Sequence, residues 1–257
     1  MHRFFISTIQ NDEITFSAEQ ARQIRQVLRM GAGDRVVALV DGAGWEYEAE
    51  LVQVEKKGVT AVIRQKRPVT AEPVVQLTLY QSLLKRDNFE WVLQKGTEIG
   101  VSRFVPLLAA RTVARPPKKP DRWQRIVTEA AEQSGRGCIP QIAPPVRLTA
   151  VLANWQPRQT GLMPAAGAAG ATIGSVLPPA EPVEAEPVEA EPVEAELVEV
   201  AVFIGPEGGW TEAEVANGRA AGLIPVTLGK RTLRAETAAI VAAALVMQSL
   251  EDQRLKD

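Results

Sequence analysis

The chain has 257 residues, 46% of them hydrophobic and 23% charged, with a formal net charge of −2. That length holds one large domain or two modest ones with a real core, and no apolar run approaches the roughly 20 residues of a membrane span. A single cysteine, Cys138, excludes an intrachain disulfide, and a single histidine, His2, excludes a zinc site built from His and Cys and leaves a Ser-His-Asp triad nothing else to recruit.

The N-terminus lacks the apolar core and small-residue cleavage site of a signal peptide, so a cytoplasmic protein is expected. Residues 1–70 read as a small β-rich domain with one helix. Ser17 and Gln20 have capping-box spacing, and Ile24, Val27 and Leu28 supply an apolar stripe behind them. Arg22, Arg25 and Arg29 recur at three- and four-residue spacing, which puts them on one helix face. Strands are expected at 36–40, 47–54 and 59–63, with Asp41-Gly42 as a turn signal. Residues 66–75, with prolines at 68 and 73, look like a linker.

Beyond it the pattern changes. Residues 76–84 read as a buried strand, 87–99 as a helix with Phe89, Val92, Leu93 and Ile99 inward, and 103–108 as another strand. Such a β-α-β unit implies a parallel sheet covered by helices. Residues 120–134 form the clearest amphipathic helix, with Trp123, Ile126, Val127, Ala130 and Ala131 at helical spacing. From 161 to 200 a flexible insertion is expected. It begins rich in Ala, Gly and Pro, then repeats Glu-Pro-Val-Glu-Ala from Glu181 onward. Setting aside the eight glutamates of 181–200 leaves 29 basic against 23 acidic residues, so the folded part is moderately basic and suits a polyanionic partner.

Two glycine-marked loops follow. The first is Ile204-Gly-Pro-Glu-Gly-Gly209, trailed by Trp210 and a Thr211/Glu214 capping box; the second is Leu228-Gly-Lys-Arg-Thr-Leu-Arg-Ala-Glu-Thr-Ala238, which opens an alanine-rich helix over 238–250. Strand, loop and helix twice in succession imply parallel strands whose loops emerge at one end of the sheet, where ligands of open α/β sheets bind. The first loop lacks the Gly-Lys-Ser/Thr ending of a phosphate-binding loop and the usual dinucleotide spacing. A nucleoside triphosphate and NAD are therefore disfavoured, and another adenosine-bearing ligand stays open.

These two loops resemble the cofactor loops of the RsmE family of ribosomal RNA methyltransferases, within the SPOUT superfamily. The run 85–101, the segment 106–112, Arg122-Trp123 and the 129–134 stretch with Arg136 and Pro140 are similar to the family in the same order. Arg3-Phe4-Phe5 and Val27-Leu28-Arg29 resemble its PUA-like barrel, although Gln23 stands where the family usually has a histidine. The resemblance implies an α/β fold in two parts. Residues 1–70 would be a PUA-like RNA-binding β-barrel, and 76–257 a SPOUT methyltransferase domain with a trefoil knot. It also implies a homodimer that methylates uridine N3 in small-subunit (16S) ribosomal RNA using S-adenosylmethionine, with no metal.

The site residues implied are Ile204, Gly205, Pro206, Glu207, Gly208, Gly209, Leu228, Gly229, Leu233, Thr237 and Ala238 for the cofactor. Arg234, Glu236, Arg136 and Glu98 are catalytic candidates, as donors to the uracil oxygens or as an orienting group or base. Arg3, Arg22, Arg25, Arg29 and Arg111 are candidates for RNA contact. Two rival expectations remain: a non-catalytic RNA-binding or ribosome-assembly protein, and a SPOUT enzyme acting on a different RNA nucleotide.

Overall fold

The computed structural model describes residues 1–116, 121–156, 159–165, 171–177 and 198–254, which divide into two compact units. The first joins Met1–Glu72 to Thr128–Ile139, and the second takes the remainder. In the first unit, strands β1 (His2–Phe5), β2 (Glu13–Thr15), β3 (Arg35–Leu39), β4 (Trp45–Glu55) and β5 (Gly58–Pro68) lie in the order β1-β3-β4-β5-β2. Register shifts between Glu48 and Ala49 and between Leu51 and Gln53 interrupt the β4–β5 ladder and bend the sheet around its core. Phe4 and Phe16 meet edge-to-face at 5.6 Å there, beside fully buried Ile14, Ile24 and Leu51. Strand β5 runs on to Pro68, into the segment expected to be linker.

The Ser17/Gln20 capping box starts helix α1 (Ala18–Arg22) as expected. The arginine face does not follow. The helix widens at once into a π-helical turn over Gln23–Val27, where the Leu28 N–H reaches back five residues to the Gln23 carbonyl. The wider turn rotates the later side chains out of α-helical phase. Val27, expected in the apolar stripe, is 71% exposed, and Arg29 lies beyond the helix at φ +55°.

The segment 128–139 belongs to the first unit, against the expected 1–70 boundary, and hydrogen bonds give the reason. Glu132 accepts from the Phe5 N–H at 3.0 Å, and Asp41 accepts from the Ile139 N–H at 2.8 Å. The Glu72 carboxylate accepts from the Gly137 and Cys138 N–H groups at 2.7 and 3.0 Å and pairs with Arg136. Helix α3 (Asp121–Ser134) therefore starts in one unit and ends in the other.

The second unit is a parallel sheet of β6 (Val75–Ser82), β7 (Arg103–Leu108), β8 (Gln141–Ile142), β9 (Val146–Arg147), β10 (Thr160–Pro164), β11 (Val198–Ile204) and β12 (Ile224–Val226). Its order is β12-β10-β11-β6-β7-β8, with β9 also on β7. Helices α2 (Arg86–Ile99) and α7 (Ala235–Arg254) pack on each other, and α7 packs on β6 and β11. Elsewhere in the unit a second cluster joins Leu107, Met163 and Phe203 to Leu148 of α4 (Leu148–Ala153) and to Leu223, which follows α6 (Glu212–Ala220). Tyr80 stacks on Phe203 at 4.4 Å, and Trp155 meets both rings edge-on. Burial, opposed by Arg103, raises the Tyr80 phenol above its ordinary pKa.

The expected insertion over 161–200 is corrected at both ends. Strand β10 pairs with β11 and β12, and a short helix, α5, occupies Ile173–Val176. Gly161 is what lets β10 in. A Cβ there would lie 2.4 Å from Leu223 and 2.8 Å from Trp155. The fold has resumed by Val198, and the pentads up to residue 197 lie outside the described residues.

Candidate active site

The carboxyl ends of β10, β11 and β12 open onto one crevice of about 1100 Å³, a roomy volume for a small-molecule site. Its floor and walls come from the two glycine loops. Ile204, the last residue of β11, and Pro206, in the loop after it, are buried and apolar, and Leu228 and Leu233 contribute half-buried apolar surface from the second loop. Gly209 turns the first loop at φ +66°, its N–H bonded to the Pro206 carbonyl at 2.8 Å. Gly229 turns the second at φ +105°, where the Thr227 hydroxyl accepts its N–H at 3.1 Å. A Cβ at either glycine would project into open space, so backbone conformation rather than crowding requires glycine there.

Helices α6 and α7 start at this crevice. The Thr211/Glu214 capping box is formed, and Glu236 lies in the first turn of α7. Their first-turn backbone N–H groups favour a carboxylate or other electronegative ligand group. Six cations line the crevice (Lys85, Arg111, Arg219, Lys230, Arg231 and Arg234) against three carboxylates, Glu207, Glu212 and Glu236. The rim is therefore positive, which suits a phosphodiester substrate.

Of the expected cofactor residues, Ile204, Gly205, Pro206, Glu207, Gly208, Gly209, Leu228, Gly229, Leu233 and Ala238 all line the crevice, whereas Thr237 does not. Arg234 and Glu236 are brought together there. Neither side chain has an ion-pair partner among the described residues, so they do not simply neutralise each other. The other two catalytic candidates lie elsewhere. Arg136 is 3% exposed in the first unit and bonded to Glu72, and Glu98 pairs with Lys95 along the surface of α2.

Arg111 lines the crevice, but its guanidinium donates to the Gly208 and Trp210 carbonyls at 2.8 and 3.3 Å. In the first unit Arg3 is paired with Glu46, Arg22 donates to Gln26, Arg25 donates to the Ala21 carbonyl, and Arg29 is exposed. Cys138 also sits in the first unit. Burial, with Glu72 and Asp41 nearby, pushes its thiol pKa up, opposed by Arg136 and the Gly42 N–H, and a thiol so held is a poor nucleophile.

Sequence reading missed Lys85 and Asn88, which line the crevice just beyond β6. The Lys85 N–H donates to Glu207 across 3.3 Å, a long-range contact without a local signature. Trp210 closes the first loop by donating its indole N–H to the Pro164 carbonyl at 3.1 Å.

Comparison with known proteins agrees with this geometry. The RNA methyltransferase domain family matches residues 70–247, and the RNA methyltransferase PUA domain family matches residues 16–64. The ribosomal RNA small subunit methyltransferase E of Synechocystis is 34% identical over 93% of this chain and 74% of its own. The Bacillus subtilis protein of the same name is 30% identical over 98% of both chains. A crystal structure of a ribosomal RNA small subunit methyltransferase E from Neisseria gonorrhoeae, bound to S-adenosylmethionine, superposes with a TM-score of 0.82 at 30% identity, covering 97% of each chain. A Legionella pneumophila methyltransferase in complex with the same cofactor gives 0.81 at 28% identity over 96% of each chain. With its domains and fold in common with these proteins, the chain belongs to the ribosomal RNA small subunit methyltransferase E family.

Proposed function

We propose that the protein transfers a methyl group from S-adenosylmethionine to N3 of a uridine in small-subunit ribosomal RNA, in the cytoplasm and as a homodimer. The observation that supports this most is the pair of glycine loops turned at positive φ around one crevice at the carboxyl ends of β11 and β12. Its parts fit the cofactor. Buried Ile204 and Pro206 with Leu228 and Leu233 suit an adenine ring, glycines leave backbone groups open, and Glu207, Glu212 and Glu236 suit a cationic ligand. When bound, S-adenosylmethionine supplies a methyl group already activated by its sulfonium.

The work left to the side chains is to orient the uracil and stabilise charge. Uracil N3 is a weakly acidic imide, and loss of its proton leaves charge on the flanking carbonyl oxygens. Arg234, exposed at the crevice and without an ion-pair partner among the described residues, is assigned to those oxygens or a neighbouring phosphate. Glu236, two residues on, is assigned to orient the N3–H or accept its proton. The homodimer is supported by two large exposed side chains on mutually packed helices, Trp91 of α2 at 42% and Leu245 of α7 at 38%. The trefoil knot expected for this fold is part of the same proposal.

Calorimetric titration with S-adenosylhomocysteine tests the cofactor assignment. Saturable binding near one per chain is expected. Absence of binding by the dimer would favour a non-catalytic RNA-binding protein instead.

A further inference from the structure

Glu214 is a buried carboxylate, 9% exposed, in the first turn of α6. A capping box occupies only one of its oxygens. Oε2 accepts from the Thr211 N–H at 2.8 Å and lies 3.0 Å from the Thr211 hydroxyl. Oε1 reaches a different part of the chain and accepts from the Ala110 N–H at 2.8 Å, 104 residues away in sequence. The residue after Ala110 is Arg111, whose guanidinium returns to the first glycine loop through the Gly208 and Trp210 carbonyls. Its stem also lies close over Gly208, where an added Cβ would meet the Arg111 Cβ at 3.2 Å.

The bonds form a closed circuit. Glu214 holds the backbone at Ala110, this sets where the Arg111 stem begins, and Arg111 holds the loop that ends at Thr211 and Glu214. We propose that Glu214 and Arg111 are positioning residues that clasp the first glycine loop in its cofactor-binding shape. Neither needs to touch the reacting atoms. The clasp rests on the cofactor-site reading above and extends it to a residue whose sequence signature points only to helix capping.

The two roles of Glu214 separate chemically. Glutamine serves a capping box about as well as glutamate. With its one oxygen turned to Thr211, however, the amide NH₂ faces the Ala110 N–H, donor against donor, and the circuit opens. Arg111→Lys opens it from the other side, because both carbonyls take their hydrogen bonds from the single Nη1, and the lysine side chain ends one bond short of that nitrogen. Arg111 is exposed, so this second variant is not at risk of failing to fold.

The test is S-adenosylhomocysteine affinity, with steady-state kinetics in S-adenosylmethionine, for wild type, E214Q, R111K and the double variant. Each single variant is expected to keep a native circular dichroism spectrum and to raise Kd and the cofactor KM about tenfold. In E214Q, which changes no group that lines the crevice, turnover at saturating cofactor should stay within about twofold of wild type. The double variant should be no worse than the poorer single one by more than about twofold, because either change already opens the circuit. A helix cap with no part in the loop would lower Tm and leave Kd alone. Wild-type affinity in E214Q, or fold-changes that multiply in the double variant, would overturn the clasp while leaving the cofactor site intact. Failure of the wild-type protein itself to bind would overturn both.

Discussion

Replacing Gly229 by alanine isolates the contribution of one backbone conformation to cofactor binding. Its φ of +105° lies well outside the left-handed helical region near +57° that L-residues visit. A side chain there is strained by about 1–3 kcal/mol. No heavy atom lies within 4 Å of the added Cβ, so collision with neighbours adds nothing. The flanking loop, Gly229 to Thr232, is exposed, and the ligand-free protein can relieve the strain by letting it relax. The cost then reappears when a ligand requires the original shape. Expressed as affinity, 1–3 kcal/mol is about 5- to 150-fold in Kd. We expect S-adenosylhomocysteine to bind G229A weaker by a factor in that range, with the Tm of the ligand-free protein lowered by only a few degrees. Calorimetry and a thermal melt on one preparation give both numbers. Wild-type affinity would refute the reasoning, as would a large fall in Tm with unchanged Kd, which would make the loop structural only.

Gly161→Ala should act on stability instead. Its Cβ would meet Leu223 and Trp155 well inside van der Waals distance, and overpacking of this kind costs about 1–3 kcal/mol in a melt; an unchanged Tm would mean that β10 shifts freely. Glu72→Ala removes one acceptor from the buried Arg136 guanidinium and from two N–H groups, and urea unfolding should show a loss of about 1–3 kcal/mol. Glu132→Gln gives a pH signature. Burial holds the Glu132 carboxyl above its usual pKa, opposed by the Phe5 N–H and aided by Glu129. The folded state therefore retains a proton that the unfolded state releases, and stability falls as pH rises from the ordinary glutamate value through the raised one. E132Q should melt above wild type at pH 7, with the gap closing near pH 4; a gap that widens on acidification would contradict the assignment.

Local signals made the site legible. Two glycine runs, each between a short apolar strand and a helical pattern, mark the two loops that line the crevice, because φ-positive turns and capped helix starts are written in adjacent residues; the ten cofactor candidates that line it follow from the family resemblance. The Ser17 and Thr211 capping boxes both formed for the same reason. Long-range pairing was not legible. Strand β10 hid inside an Ala/Gly/Pro-rich stretch because its Gly-Leu-Met run is buried by neighbours remote in sequence. Arg136, a candidate by resemblance, bonds a carboxylate 64 residues away, Glu72, a pairing that no local pattern announces. The π-helical turn after Arg22 left no periodic trace, and it displaced Val27 and Arg29 from the face their spacing predicted.

The central claim is chemical and is tested most directly on RNA. Small subunits isolated from cells lacking this activity would be incubated with the protein and S-adenosylmethionine, and the RNA digested to nucleosides for mass spectrometry. The account predicts new 3-methyluridine, approaching one per particle and greatly reduced with Arg234→Ala. Methylation of a different nucleoside would contradict the uridine-N3 assignment, and no methylation by cofactor-bound protein would contradict the enzyme reading itself.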